Sequence, residues 1–275
     1  MTTATQPRRA PSHARGGYGF RTVAQMEWQK LRTVRSTRYI LALFAVTMIG
    51  LAVIALSHEG YPRMSAADRA TFDPTHDCFI GLVLGQLLLG VMGVLAITSE
   101  FASGMIRATF AAAPRRLRVL AAKAAVVGAA ALVAGEAAAF LSFFAGGMTL
   151  RHGITAPALS QPGVLRAIVL TGASLSLAGL FGLGLGAIIR HTAAAITVVV
   201  GIVFVGGTFI GQSDFAIRPY LPLYIVSHSL GATGPACLPG MASCWLSPWS
   251  GLGLLAGYAA IAMLLGGLIL ARRDA

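Results

Sequence analysis

Six runs of apolar residues, at 39–56, 79–98, 124–150, 167–189, 193–211 and 250–270, constrain this chain more than anything else in it. At 1.5 Å of rise per helical residue, even the shortest comes within a few ångströms of the roughly 30 Å hydrocarbon core of a bilayer. Hydrocarbon offers no partners for backbone N–H and C=O groups, so a run of this length crosses it as an α-helix that satisfies itself. The predicted fold is all-α, a polytopic membrane protein with six transmembrane helices occupying 39–275. Composition agrees, because only 11% of the residues are charged, less than half the roughly 25% found in soluble domains. A soluble fold of this length could not coat itself with so few charges. The 33 glycines fit the same reading, since small residues let membrane helices approach closely.

Residues 1–17 are rich in Pro, Arg, Gly and Thr, carry no apolar run able to act as a cleavable signal, and read as a disordered basic tail. Over 18–38 the pattern becomes helical and amphipathic. Phe20, Val23, Ala24, Trp28, Leu31 and Val34 fall in one arc at 100° per residue, with Arg21, Gln25, Lys30 and Arg32 outside it. This predicts an interfacial helix with Trp28 at headgroup depth. A cytosolic surface helix would show the same periodicity. Basic residues then set the orientation. Sixteen lie in segments assigned to the cytoplasmic side and five in segments assigned outside, which puts both termini in the cytoplasm of a multi-pass plasma-membrane protein.

The formal net charge of +12 could indicate a nucleic-acid partner, but the charges cluster at the ends of apolar runs and form no separate basic domain. No nucleic acid is expected. The cysteines Cys78, Cys237 and Cys244 lack the close paired spacing of a metal or redox site, so no metal is expected. Cys237 and Cys244 share the last outer loop, where a disulfide and two free thiols are equally open readings. The two lysines, Lys30 and Lys123, do not follow a glycine, so there is no Walker A loop and no cofactor is expected in this chain. Gly251, Gly253 and Ala256 match a dinucleotide fingerprint, but at the start of an apolar run the match is accidental. Ser174 lacks the neighbours of an intramembrane serine protease and reads as a small packing residue. An enzyme is not expected.

Three features remain. Small residues recur every four positions, at Ser174, Ala178, Gly182 and Gly186, at Ala131, Gly135 and Ala139, and at Gly253 and Gly257. Such stripes mark close helix packing, within one subunit or between two. Glu136 lies deep in the third run, with Gln86 in the second as a possible partner. An ionisable group there is either functional or a hydrogen-bonded packing element. The connection 99–123 is the third feature. Ser99 is placed to cap a short helix with Glu100 in its first turn, a favourable dipole contact worth about 0.3–1 kcal/mol, and Pro114 is placed to end it.

That connection, Glu100-Phe101-x-x-Gly104-Met105-Ile106-Arg107 followed by Pro114-Arg115-Arg116 and Ala122-Lys123, resembles the coupling segment of bacterial ABC-2 type permeases. Glu27-Trp28-x-Lys30-Leu31-Arg32 is similar to that family's connecting helix, and the ending Arg272-Arg273-Asp274-Ala275 is similar to its members' ends. The resemblance implies the membrane subunit of an exporter. A second permease subunit, alike or different, and cytosolic ATPase subunits that bind ATP and Mg would be its partners, within membrane lipid. Glu100, Gly104 and Arg107 would then lie on a coupling helix against the ATPase, and Glu27, Trp28 and Lys30 on the connecting helix. The competing class is an ion-gradient-driven secondary transporter or channel, which would place several ionisable groups or broken helices at mid-membrane. Glu136 is the one such group in the sequence pattern.

Overall fold

The computed structural model describes residues 19–57, 74–112, 115–150, 157–213, 217–232 and 246–272. The basic tail, Cys237, Cys244, Pro114 and the ending from Arg273 lie outside them. Among the described residues the regular structure is helical throughout, and six helices are long and apolar enough to cross a membrane.

Helix α1 (Phe20–Thr33) leads through Val34 into α2 (Arg35–Ser57), the first span. A single turn at Pro74–Asp77 precedes α3 (Leu82–Ala102), the second span. A short α4 (Met105–Ala112) is followed by α5 (Arg116–Thr149) and α6 (Val164–Ile189), the third and fourth spans. The fifth runs from α7 (Thr192–Val200) through a π-turn at Gly201–Val205 into α8 (Gly206–Ser213). Short helical pieces at Arg218–Tyr220, Pro222–Tyr224 and Ile225–Ser229 precede the last span, α9 (Pro248–Arg272).

Helix α6 is the centre of the bundle, packed against α3, α5, α7 and α9. The closest approach is between α3 and α6, and glycines make it possible. A Cβ at Gly93 would collide with the carbonyl oxygen of Gly179, and one at Gly182 would collide with that of Gly90. Two of the three small-residue stripes therefore pack inside the chain, since Gly135 likewise lies on the backbone of Gly172. The third does not, for Gly253 and Gly257 face open space.

Helix α5 has 34 residues, about 51 Å at 1.5 Å per residue, well beyond the hydrocarbon thickness. Its first turns, with Arg116, Arg118 and Lys123, project at one end, and α1 lies along that projection. Val23 of α1 packs with Val119 and Ala122 of α5. The buried stripe of α1 is Val23, Glu27 and Leu31, while Phe20, Trp28 and Val34 are exposed. The apolar arc read from the sequence is thus split between the protein and the exterior, because a carboxylate takes the middle of the buried face.

The same end gathers the ends of α3, α6 and α9. Arg116 Nη1 donates to Leu270 O at 3.3 Å and Arg190 Nη2 to Ile269 O at 3.3 Å. Both cover carbonyls that a helix C-terminus leaves without intrahelical partners. At the far end, the Ile217–Val226 segment folds into the bundle, with Ile225 and Val226 buried in the main core and Tyr258 Oη donating to Tyr220 O at 2.8 Å. Cys78 is buried there, its thiol donating to Phe143 O at 3.9 Å.

Gly93→Ala and Gly182→Ala should each destabilise the fold by about 1–3 kcal/mol, the usual cost of overpacking. Gly253→Ala should be neutral. Thermal unfolding of the three variants in one detergent checks this, and equal melting temperatures would remove the α3–α6 contact as the tight point.

Candidate functional site

Arginines outnumber lysines 19 to 2 in this chain, yet both lysines are at one place. Lys123, in the projecting part of α5, donates to Glu100 Oε1 at 2.8 Å and to Glu27 Oε2. Lys30 donates to Glu27 Oε1 at 2.9 Å, to Glu100 Oε1 at 3.0 Å and to Thr109 Oγ1 at 3.4 Å. Glu27, Glu100 and Lys123 are buried, at 4%, 5% and 3% exposure, while Lys30 is part-exposed. The four charges alternate around a closed quartet that joins α1, α3 and α5 and reaches α4 through Thr109. Its formal charge is zero.

The local structure explains each position. Glu27 and Lys30 are three apart on α1, which puts both side chains on one face. Lys123 follows Ala122, whose small side chain lets α1 lie close. A lysine ammonium is a compact point charge on a flexible stem, suited to reaching two carboxylates from different helices. Burial alone would depress the pKa of Lys30, but the hydrogen bond and charge of Glu27, then those of Glu100, outweigh it and hold the pKa above its ordinary value. A raised lysine pKa adds stability that is complete below the unfolded-state value and is lost as pH rises through the folded one. The Lys30 contribution is therefore intact through neutral pH.

Glu100 does not stand on the short helix. Helix α3 continues through Ser99 to Ala102, with Ser99 Oγ donating to Leu95 O at 2.7 Å, so Ser99 caps nothing. The break comes at Gly104, whose φ of +69° favours glycine. Nothing lies within 4 Å of the space a Cβ would take there, so backbone conformation, not close approach, is what Gly104 supplies. Glu100 is thus held inside the chain, buried and bonded to Lys30 and Lys123. Arg107 and Met105 on α4 are exposed, whereas Ile106 is buried and anchors the helix. Trp28 is exposed, with the Arg32 guanidinium 5.8 Å from its ring centroid.

Glu136 and Gln86 are not brought together. The Glu136 carboxyl lies against Gly172 of α6, where a Cβ would collide with it. Gln86 lines a small cavity of about 30 Å³ with Ser174 and Tyr258. Glu136 Oε2 and Gln86 Oε1 are both buried without a hydrogen-bond partner among the described residues. No cluster of three or more His, Cys, Asp or Glu side chains lies among the described residues.

No protein-family model matches this chain, and no curated protein matches it.

The quartet predicts strong coupling between its members. Lys123→Ala should cost about 3–5 kcal/mol, the usual penalty for stranding one partner of a buried ion pair. Lys123→Met combined with Glu100→Leu leaves the neutral Glu27–Lys30 pair and should recover much of the loss. Chemical denaturation of the single and double variants measures this, and strictly additive losses would mean the charges do not interact.

Proposed function

We propose that this chain is the membrane-spanning permease subunit of an ATP-binding-cassette exporter, driven by a separate ATPase and working with a second permease subunit. The observation that carries this reading is the setting of α4. It is a short exposed helix between two spans, hung on the Gly104 break, bonded through Thr109 to Lys30 and so to the quartet. A partner pressing on Met105 and Arg107 would push α1, α3 and α5 together, because those helices share the same four charges. Conversion of a surface push into movement of spans is what an external motor requires. The likeness of 99–123 to an ABC-2 coupling segment supports the same reading by analogy. On this reading the α1 end is cytoplasmic, in keeping with the sixteen-to-five distribution of basic residues.

The other reading, a transporter or channel driven by an ion gradient, draws on Glu136, whose buried Oε2 has no hydrogen-bond partner among the described residues. One such carboxylate could carry a proton. It offers no role for the quartet or for α4, and the permease reading is preferred.

Met105→Asp with Arg107→Glu alters the exposed face of α4 without touching the quartet. Co-expressed with its cognate ABC ATPase, this variant should retain its melting temperature and lose both export and stimulated ATP hydrolysis by about tenfold or more, equivalent to at least about 1.4 kcal/mol of coupling. Wild-type coupling would exclude α4 as the contact, and transport that persists without any ATPase but collapses with an ionophore would favour the gradient-driven reading.

Ser103→Cys tests the orientation. An impermeant maleimide should leave this exposed position unlabelled in intact cells and label it once they are opened. Labelling from outside would reverse the topology.

A further inference from the structure

The side of α1 turned away from the quartet carries a line of exposed residues at helical spacing, Arg21, Gln25, Trp28 and Arg32. Past the break at Val34, α2 opens with Arg35 and Arg38, both exposed, and Tyr39 follows at 72% exposure. Tyr39 begins the first apolar run, so Arg35 stands only about 6 Å along the helix from the start of that run. The two arginines of α2 therefore lie where the hydrocarbon ends.

Among the described residues Arg21, Arg35 and Arg38 form no ion pair, and Arg32 stacks on Trp28 with its guanidinium carbon 5.8 Å from the ring centroid. The acidic residues described at this end, Glu27 and Glu100, are buried and already bonded to Lys30 and Lys123. Four positive charges on one exposed surface are thus left to an outside anion. A guanidinium presents a planar fork of N–H donors that matches two phosphate oxygens, and stacking one face on an indole leaves that fork open. A nucleic acid or an acidic protein would also supply anions, but two observations favour lipid. The exposed side chains of Phe20, Val34 and Tyr39 interleave with the arginines, and a polyanion in water would leave them uncovered. Arg35 and Arg38 are also fixed at headgroup depth by the span they open, where tryptophan and tyrosine rings are favoured too. A phosphatidylcholine headgroup brings an ammonium that these arginines repel, whereas an anionic phospholipid brings its phosphate alone.

We propose that α1 and the first turn of α2 form a docking face for anionic phospholipid in the leaflet at the α1 end. Lipid phosphates accept from Arg32, Arg35 and Arg38, and the rings of Trp28 and Tyr39 lie at the level of the lipid glycerol. The same helix holds Glu27 and Lys30 on its other side, so the lipid charge outside bears on how firmly α1 is held in the quartet. The face requires only a bilayer and stands apart from the permease reading.

The test reads the fluorescence of Trp28 in the full chain, with the other two tryptophans removed as Trp245→Phe and Trp249→Phe. The protein is placed in mixed phosphatidylcholine and phosphatidylglycerol bilayers in which equal amounts of one lipid or the other carry bromine close to the glycerol end of the chain. Brominated phosphatidylglycerol should quench Trp28 about tenfold more per mole than brominated phosphatidylcholine, the order expected when several cations each favour an anionic surface. High salt should reduce that preference. Arg35→Gln combined with Arg38→Gln should bring it close to unity, and Arg38→Gln alone, a single change at an exposed residue, should lower it severalfold and serves if the double variant does not fold. Equal quenching by the two lipids would overturn the proposal, as would a preference unchanged in Arg38→Gln. Quenching of Trp28 by aqueous iodide and by neither lipid would assign the face to a soluble acidic partner and overturn it as well. No ATPase is present, so each result leaves the coupling experiment to be decided separately.

Discussion

Hydrocarbon gives helices no hydrophobic reason to associate, since lipid tails are as apolar as leucine, and the bundle must therefore be held by backbone-level fit. The contact of α3 with α6 at Gly90, Gly93, Gly179 and Gly182 supplies that fit. With these backbones in contact, α6 becomes the post against which α5 and α9 are set, and α7 is carried back over α3 by the tight link at Arg190 and His191. The fifth span then packs Val199 and Val203 inward against Val94. Everything at the charged end inherits its position from this packing, because the end of α3 presents Glu100 and the start of α5 presents Lys123.

At that end a different force sets the arrangement. Four buried charges are poor stabilisers compared with apolar side chains of equal volume, but they are demanding about geometry. An alternating quartet is complete only when three helices are in register together. Hydrophobic contact between α1 and α5 through Val23 and Val119 would tolerate sliding, whereas the Glu27 and Lys30 bonds would not. The consequence is a discrete seat for α1, of the sort that a switching element requires.

Much of the bundle was legible in the sequence because hydrocarbon imposes length and composition together, and all six apolar runs became helices. Their ends were less legible. The third apolar run starts at residue 124, but α5 starts at Arg116, because charge marks where the membrane stops and not where the helix does. Ser99 and Glu100 resemble a cap and a first turn, yet the chain stays helical until Gly104 turns it. Glu27, Lys30 and Glu100 stood out individually, but nothing local joins residues 70 to 96 positions apart. In an arginine-rich chain, the two lysines mark a site that wants a compact charge, but only the fold brings them to one place. The π-turn in the fifth span leaves no mark on hydropathy at all.

The projection of α5 carries a mechanical implication. From Arg116 to Lys123 it extends about 12 Å past the apolar part of the helix, and α1 rests on it. A rigid rod that tilts by about 10° at the membrane surface moves such a tip by about 2 Å, enough to take a hydrogen bond out of range. Small rotations deep in the bundle are therefore amplified into a make-or-break event at the bond from Arg116 Nη1 to Leu270 O, while Lys123 near the pivot keeps its carboxylates, and a small displacement at the tip carries leverage back into the span.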